Sequence, residues 1–222
     1  MSLIVSIGGG QNTLTIDKYM INKVNKDKVN ILLLPTACND NPDYCKSFKE
    51  HFENLNCNVD MLLLSLNPNS NVIRSKIFAA DIIYIGGGNT GRLLRVFKRN
   101  NITEYLKEAY KRNIILCGIS AGSLYFYNQG YSDTNRSTNP NNPLSIIKGA
   151  NFIDAFMTPH YNEEERKEFD KIESDIIKIA VEEGVAAIYE DGKFIGCVKE
   201  NKEHNAYIFI DNKKQVLDEI YE

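Results

Sequence analysis

The amino-acid sequence predicts an α/β protein: a doubly wound, mostly parallel sheet in a flavodoxin-like three-layer arrangement, followed by a set of short C-terminal strands. Three observations carry that expectation. The first 120 residues alternate short β-branched runs with longer amphipathic stretches, the order of strand, helix and parallel strand. The runs Asn-Ile-Leu-Leu-Leu and Asp-Ile-Ile-Tyr-Ile lack polar alternation, as strands do when helices cover both faces of a sheet. From Val185 onward the chain breaks into three short runs, two of them joined by a Glu-Asp-Gly-Lys turn.

In chain order, strands are expected at Leu3 to Ile7, Asn30 to Leu34, Asp60 to Leu64, Asp81 to Ile85 and Ile114 to Ile119. Helices are expected near Ile16 to Lys26, Asp43 to Asn54 and Asn71 to Ala79, with a pair covering Thr90 to Arg112. Residues Asn128 to Pro143, rich in Asn, Ser, Thr, Gly and Pro, sustain neither period and read as a long functional loop. A strand at Ala155 to Thr158 and a long helix from about Glu163 to Glu183 follow, then strands at Val185 to Tyr189, Phe194 to Val198 and Tyr207 to Ile210. With no internal repeat and no linker, residues 1–222 are expected to form one domain.

Composition narrows the partners. A chain that is 43% hydrophobic and 25% charged has the material for a core. Its net charge of -3 provides no global positive field for nucleic acid or an anionic membrane, so neither is an expected partner. No apolar run approaches the roughly 18 residues of a membrane span, and the opening Met-Ser-Leu-Ile-Val-Ser-Ile-Gly reads as a strand rather than a signal peptide. Five cysteines without C-x-x-C spacing resemble neither a disulfide framework nor a zinc cluster, so a reducing cytoplasm is the expected compartment.

Gly118-Ile119-Ser120-Ala121-Gly122 matches the G-x-S-x-G elbow, where a serine sits on a strained strand-to-helix turn that only small neighbours permit. The apolar run before it and the helix start after it supply the required context. Of three histidines, His51 lies within an amphipathic helix and His204 in a charged turn, where solvation is the simpler expectation. His160 ends a core strand, with Pro159 holding Thr158 extended, which is a fitting place for a catalytic base. A third group should orient the imidazole; Asp133 on the polar loop is the first choice, with Asp154 and Asn135 in reserve.

Gly86-Gly87-Gly88-Asn89-Thr90-Gly91 also closes a strand and opens a helix. It formally contains G-x-G-x-x-G, yet the acidic residues downstream, Glu104 and Glu108, fall inside a helix rather than at a strand end, which argues against a dinucleotide. An oxyanion hole pairing the N–H groups of Gly88 and Ala121 fits better, and this chemistry calls for no metal and no cofactor. Gly8-Gly9-Gly10 is either a further loop at the same edge or an ordinary turn.

Together, Gly86 to Thr90, Gly118 to Ser123 and Pro159-His160-Tyr161, in this order and spacing, resemble peptidase family S51, the serine peptidases that include peptidase E and cyanophycinase. The resemblance implies a class I glutamine amidotransferase-like fold with serine in place of the cysteine nucleophile. It implies Ser120 as nucleophile, His160 as base, Gly88 as an oxyanion glycine and Asp133 as the nearest match to the acidic residue. It further implies a short peptide substrate with an acidic first residue, cleaved as a dipeptidase would. Such a residue needs a cationic partner, for which Arg136 and Arg166 are the candidates; with Asn89, next to Gly88 in the chain, they make up the expected substrate-binding residues. Two other readings stay open: an α/β-hydrolase esterase, which shares the elbow, and a non-catalytic small-molecule sensor on the same scaffold.

Overall fold

In β1 (Leu3–Ile7) every residue is buried, and the pleat sends Leu3, Val5 and Ile7 to one face and Ile4 to the other. The same division runs through β2 (Asn30–Leu34), β4 (Ile82–Ile85) and β5 (Ile115–Ile119), so continuous apolar runs become a sheet with a core on each side. The computed structural model describes residues 1–211 and 213–220. Its first sheet has seven strands in the order β11-β10-β1-β5-β4-β2-β3, parallel from β1 to β3, with β10 (Val185–Glu190) and β11 (Lys193–Lys199) antiparallel at one edge.

Helices α1 (Leu14–Val24) and α2 (Pro42–Asn54) cover one face, where Phe48 and Phe52 pack against Tyr84. On the other face lie α3 (Ser70–Ala79), α4 (Thr90–Arg99) and α5 (Ile102–Lys111), through Ile77, Leu93, Phe97 and Leu106. Each such side chain contributes about 1.5–3 kcal/mol when fully buried. Asn41, Asn69 and Asn89 cap α2, α3 and α4 by accepting hydrogen bonds from their first-turn N–H groups. The fold class expected from sequence is the one observed.

Three expected elements are corrected. Strand β3 (Asn58–Met61) starts two residues before its expected position, because the edge strand exposes Asn58 and Asp60 and alternates, whereas the apolar chain beyond Leu62 turns into the 3₁₀ segment Leu64–Leu66. The polar stretch from Asn128 is not all loop: β6 (Tyr127–Ser132) takes its first five residues. The long helix from Glu163 to Glu183 does not form. A 3₁₀ segment, Glu164–Lys171, buries Arg166 and Phe169 three residues apart, the period of that helix. The β-branched run beyond it becomes β9 (Lys178–Val181).

These segments build a second sheet of six strands, ordered β13-β12-β9-β8-β6-β7, which the sequence reading did not separate from the first. Its remaining members are β7 (Ser145–Lys148), β8 (Ile153–Thr158), β12 (Ala206–Ile210) and β13 (Lys213–Val216). The turns after β1, β4, β5, β8 and β9 carry Gly9, Gly88, Ser120, His160 and Glu183.

Candidate active site

Ser120 occupies the junction of β5 and the four-residue helix α6 (Ala121–Leu124) at φ 54° and ψ −112°. A non-glycine residue there costs roughly 1–3 kcal/mol, which the surroundings must offset. They do so by close approach. A Cβ on Gly118 would lie 2.3 Å from the Gly122 carbonyl oxygen, and one on Gly122 would lie 2.1 Å from that of Ile85. The Ser120 N–H donates to the Ile7 carbonyl at 3.0 Å, tying the elbow to β1.

His160 follows β8 and Pro159, also in left-handed backbone (φ 52°), with its N–H donating to the Gly8 carbonyl at 3.0 Å. Its ring lies on Gly9, where a Cβ would come 2.3 Å from Cε1. Nε2 stands 2.8 Å from Ser120 Oγ, and Nδ1 stands 2.8 Å from Oε1 of Glu183. A carboxylate only accepts, so Nδ1–H donates to Glu183 and Nε2 is left to accept the serine proton.

Glu183, which the sequence places at the end of an expected helix and not among the candidate site residues, is the partner of the imidazole in the structure. It lies in the turn between β9 and β10, where its N–H donates to Asn162 Oδ1 and its carbonyl accepts from His204 Nδ1 at 2.6 Å. His204 is therefore engaged rather than solvated. Gly184 (φ 69°) donates to the Gly9 carbonyl at 2.9 Å, so the Glu183 turn and the Gly8–Gly10 turn are laced together. The available signal was Glu-Glu-Gly immediately before a buried strand, a turn composition that the expected helix overrode.

Asp133 does not meet His160. Its half-exposed carboxylate lies 3.7 Å from the Arg166 guanidinium at the start of a short 3₁₀ turn, Thr134–Ser137. The reserve residues are engaged elsewhere: Asp154 accepts from Asn128, and Asn135 donates to Ser145.

Gly88 (φ 133°) packs on the chain at Ala37, whose carbonyl oxygen a Cβ would approach to 2.6 Å, and a Cβ on Gly87 would reach 3.4 Å from Ser120 Cβ. Neither the Gly88 nor the Ala121 N–H donates to a protein acceptor among the described residues. Asn89 is spent on structure: Oδ1 accepts from the Arg92 N–H and the Thr134 hydroxyl, and Nδ2 donates to the Thr134 carbonyl. Arg136 is held in a two-pronged pair with Glu165, an interaction that holds the Glu165 carboxyl below its usual range. Arg166 is only 2% exposed; it donates to the Tyr131 carbonyl, and Glu163 stands 3.5 Å from its Nε.

Ligand atoms of His160, Glu163 and Glu183 lie within 4.8 Å of one another. Both imidazole nitrogens already have partners, so a cation bound to the ring would have to replace its hydrogen bond with Ser120 or the one with Glu183.

A strained serine bonded to an imidazole that is bonded in turn to a carboxylate, at the carboxyl edge of a parallel sheet, has the layout of a hydrolase of the nucleophile-elbow kind. The chain belongs to peptidase family S51, which matches residues 3–201. It is 32% identical over 169 residues to the uncharacterized peptidase YgaJ of Bacillus subtilis, covering 74% of this chain and 70% of that protein. It is 30% identical over 126 residues to the uncharacterized peptidase Lmo0363 of Listeria monocytogenes, covering 56% of this chain and 61% of that one. Among solved structures, a peptidase from an acI-B1 actinobacterium superposes with a TM-score of 0.77 at 16% identity, covering 99% of this chain and 95% of that one. A putative peptidase E of Listeria monocytogenes gives 0.70 at 19% identity, covering 90% of this chain and 100% of that one.

Proposed function

We propose that this peptidase is a serine exopeptidase of short peptides, with Ser120 as nucleophile, His160 as general base and acid, and Glu183 as the residue that orients the imidazole. The observation that carries the reading is the continuous chain Ser120 Oγ, His160 Nε2, His160 Nδ1, Glu183 Oε1, with both contacts at 2.8 Å. His160 takes the hydroxyl proton as Oγ attacks the carbonyl, and returns it to the leaving amine. The N–H groups of Gly88 and Ala121 hold the oxyanion, a contribution of about 2.7–4 kcal/mol per donor in comparable sites. Water then releases the acyl group by the reverse sequence.

Restriction to short peptides is supported by the segment after β6. Thr134 is fastened to Asn89 and Gly91, and Arg136 to Asn142 and Glu165, so this segment is held as a wall. For an acidic first residue, Arg136 is already spent, which leaves Arg166. Its contacts with Asp133 and Glu163, at 3.7 and 3.5 Å, are longer than a charge-assisted hydrogen bond, and a substrate carboxylate would enter by displacing Asp133.

The test is hydrolysis of Asp-Leu, Leu-Leu, Leu-Arg and a folded protein, alongside labelling with a fluorophosphonate. Ser120→Ala and His160→Ala should each lower kcat by orders of magnitude in a folded protein, and Ser120→Ala should abolish labelling. Near-normal turnover in either overturns the assignment; equal rates on Asp-Leu and Leu-Leu overturn the acidic preference; digestion of the folded protein overturns the wall.

A further inference from the structure

Beside the elbow, on the face of the first sheet covered by α1 and α2, a cavity of about 520 Å³ opens that the chemistry above does not use. Its walls are aromatic and aliphatic: Tyr44, Phe48, Phe52, Tyr84 and Ile119. Three features join it to the catalytic groups. Ile119 is the residue before Ser120, and Gly10, at its edge, follows the Gly9 on which the His160 ring lies. Tyr44 sets its hydroxyl against the Gly86–Gly88 turn, where a Cβ on Gly86 would be 3.0 Å from the phenol oxygen.

The charges around the cavity select its occupant. Among the described residues, no lysine or arginine lines it. Asp43 stands among the lining residues, and the lining His51 is bonded at 2.8 Å to Asp17, a fully buried carboxylate. An acidic side chain entering here would leave water for an aromatic wall with a carboxylate at the rim and another behind the imidazole, and would meet no permanent cation. An apolar ring, by contrast, exchanges water for ring faces and edges. Stacked or edge-on aromatic pairs add attraction beyond the area buried, and the volume falls within the roughly 300–1,000 Å³ typical of small-ligand sites.

We infer that this cavity is a side-chain subsite of the peptidase, taking an apolar and preferably aromatic residue that flanks the scissile bond of a short peptide. The inference rests on the catalytic reading of Ser120. It divides recognition between two places: Arg166 for an acidic group, and the α1–α2 cavity for the apolar residue. A dipeptide pairing one acidic with one aromatic residue would satisfy both.

The experiment measures kcat/KM for two matched pairs, Asp-Phe against Asp-Gly and Phe-Ala against Ala-Ala, placing the ring on either side of the bond. The expected result is a preference of at least about tenfold, the equivalent of 1.4 kcal/mol, for the aromatic member of one pair. Ser47→Trp, at an exposed position of α2 on the cavity rim, should fill the space and bring that ratio close to one. No preference in either pair overturns the subsite, as does a preference that survives Ser47→Trp. Failure of the catalytic reading shows separately, as absence of fluorophosphonate labelling at Ser120 in the unaltered protein.

Discussion

The Glu183 carboxylate stands 2.8 Å from His160 Nδ1, while Asp133 stands 3.7 Å from an arginine and bonds no imidazole. Two substitutions separate these residues. Glu183→Gln keeps the shape but can place an amide donor against Nδ1, forcing the wrong tautomer; kcat should fall by about 10⁴, as for the equivalent change in a serine triad. Asp133→Asn should leave kcat within a few-fold and lower KM for Asp-Leu, because Arg166 loses a competing carboxylate. Steady-state kinetics on both variants decide the matter, and a collapse of kcat in Asp133→Asn would return Asp133 to the triad. Ser120 and His160 were legible in the sequence because their backbone demands are local, written as flanking glycines and as Pro159. Glu183 was not legible, because its nearness to His160 depends on two sheet turns meeting across 23 residues.

The glycine turn after β1 acts at the scale of an element. It accepts from His160 and Gly184 through the carbonyls of Gly8 and Gly9, and it supports the imidazole directly. Gly9→Ala would place a methyl 2.5 Å from Nδ1 at a backbone φ of 146°, so the ring must move and the contact with Ser120 must break. Activity should fall by at least about 10², the loss expected from a 1 Å misplacement, while circular dichroism retains the α/β signature. The 3₁₀ segment Glu164–Lys171 depends on a different device. Lys178 of β9 is buried and donates to the carbonyls of Phe169, Asp170 and Ile172, closing the end of that segment, and burial holds its ammonium below the usual lysine range. Lys178→Met should destabilise the protein by about 1–3 kcal/mol, the cost of leaving buried carbonyls without donors, read as a lower denaturation midpoint. An unchanged midpoint would show that the segment is held by Phe169 packing alone. A charged run with helix-forming residues misled the sequence reading here, since nothing local reveals that a lysine in the following strand will satisfy the carbonyls of a tighter helix.

Across the whole molecule, the parallel sheet and its helices were legible as far as β5, since the strands there are bracketed by turns and all but the edge strand β3 are buried on both faces. The second sheet was not, because β9 follows a charged run that reads as helix, β7 and β13 are largely exposed, and the contact with the first sheet joins residues far apart in sequence. That contact includes a buried hydroxyl chain: Tyr127 of β6 lies 2.9 Å from Ser6 of β1 and 3.1 Å from Tyr189 of β10. Burial pushes the Tyr127 phenol up to about 12 from its ordinary 10.0, and Tyr189 is raised as well. The unfolded chain releases these protons from about pH 10, whereas the folded chain keeps that of Tyr127 until about 12, so above pH 10 the unfolded state binds fewer protons. Stability contributed by the neutral phenol is therefore fully present below pH 10 and lost as the pH rises through about 12. For Tyr127 alone the loss amounts to roughly 3 kcal/mol, at 1.36 kcal/mol per unit. Tyr127→Phe removes one titrating group while keeping the ring, so its urea midpoint should fall less steeply between pH 10 and 12 than that of the unaltered protein. Parallel slopes for the two proteins would show that the hydroxyl chain between the sheets does not control alkaline unfolding.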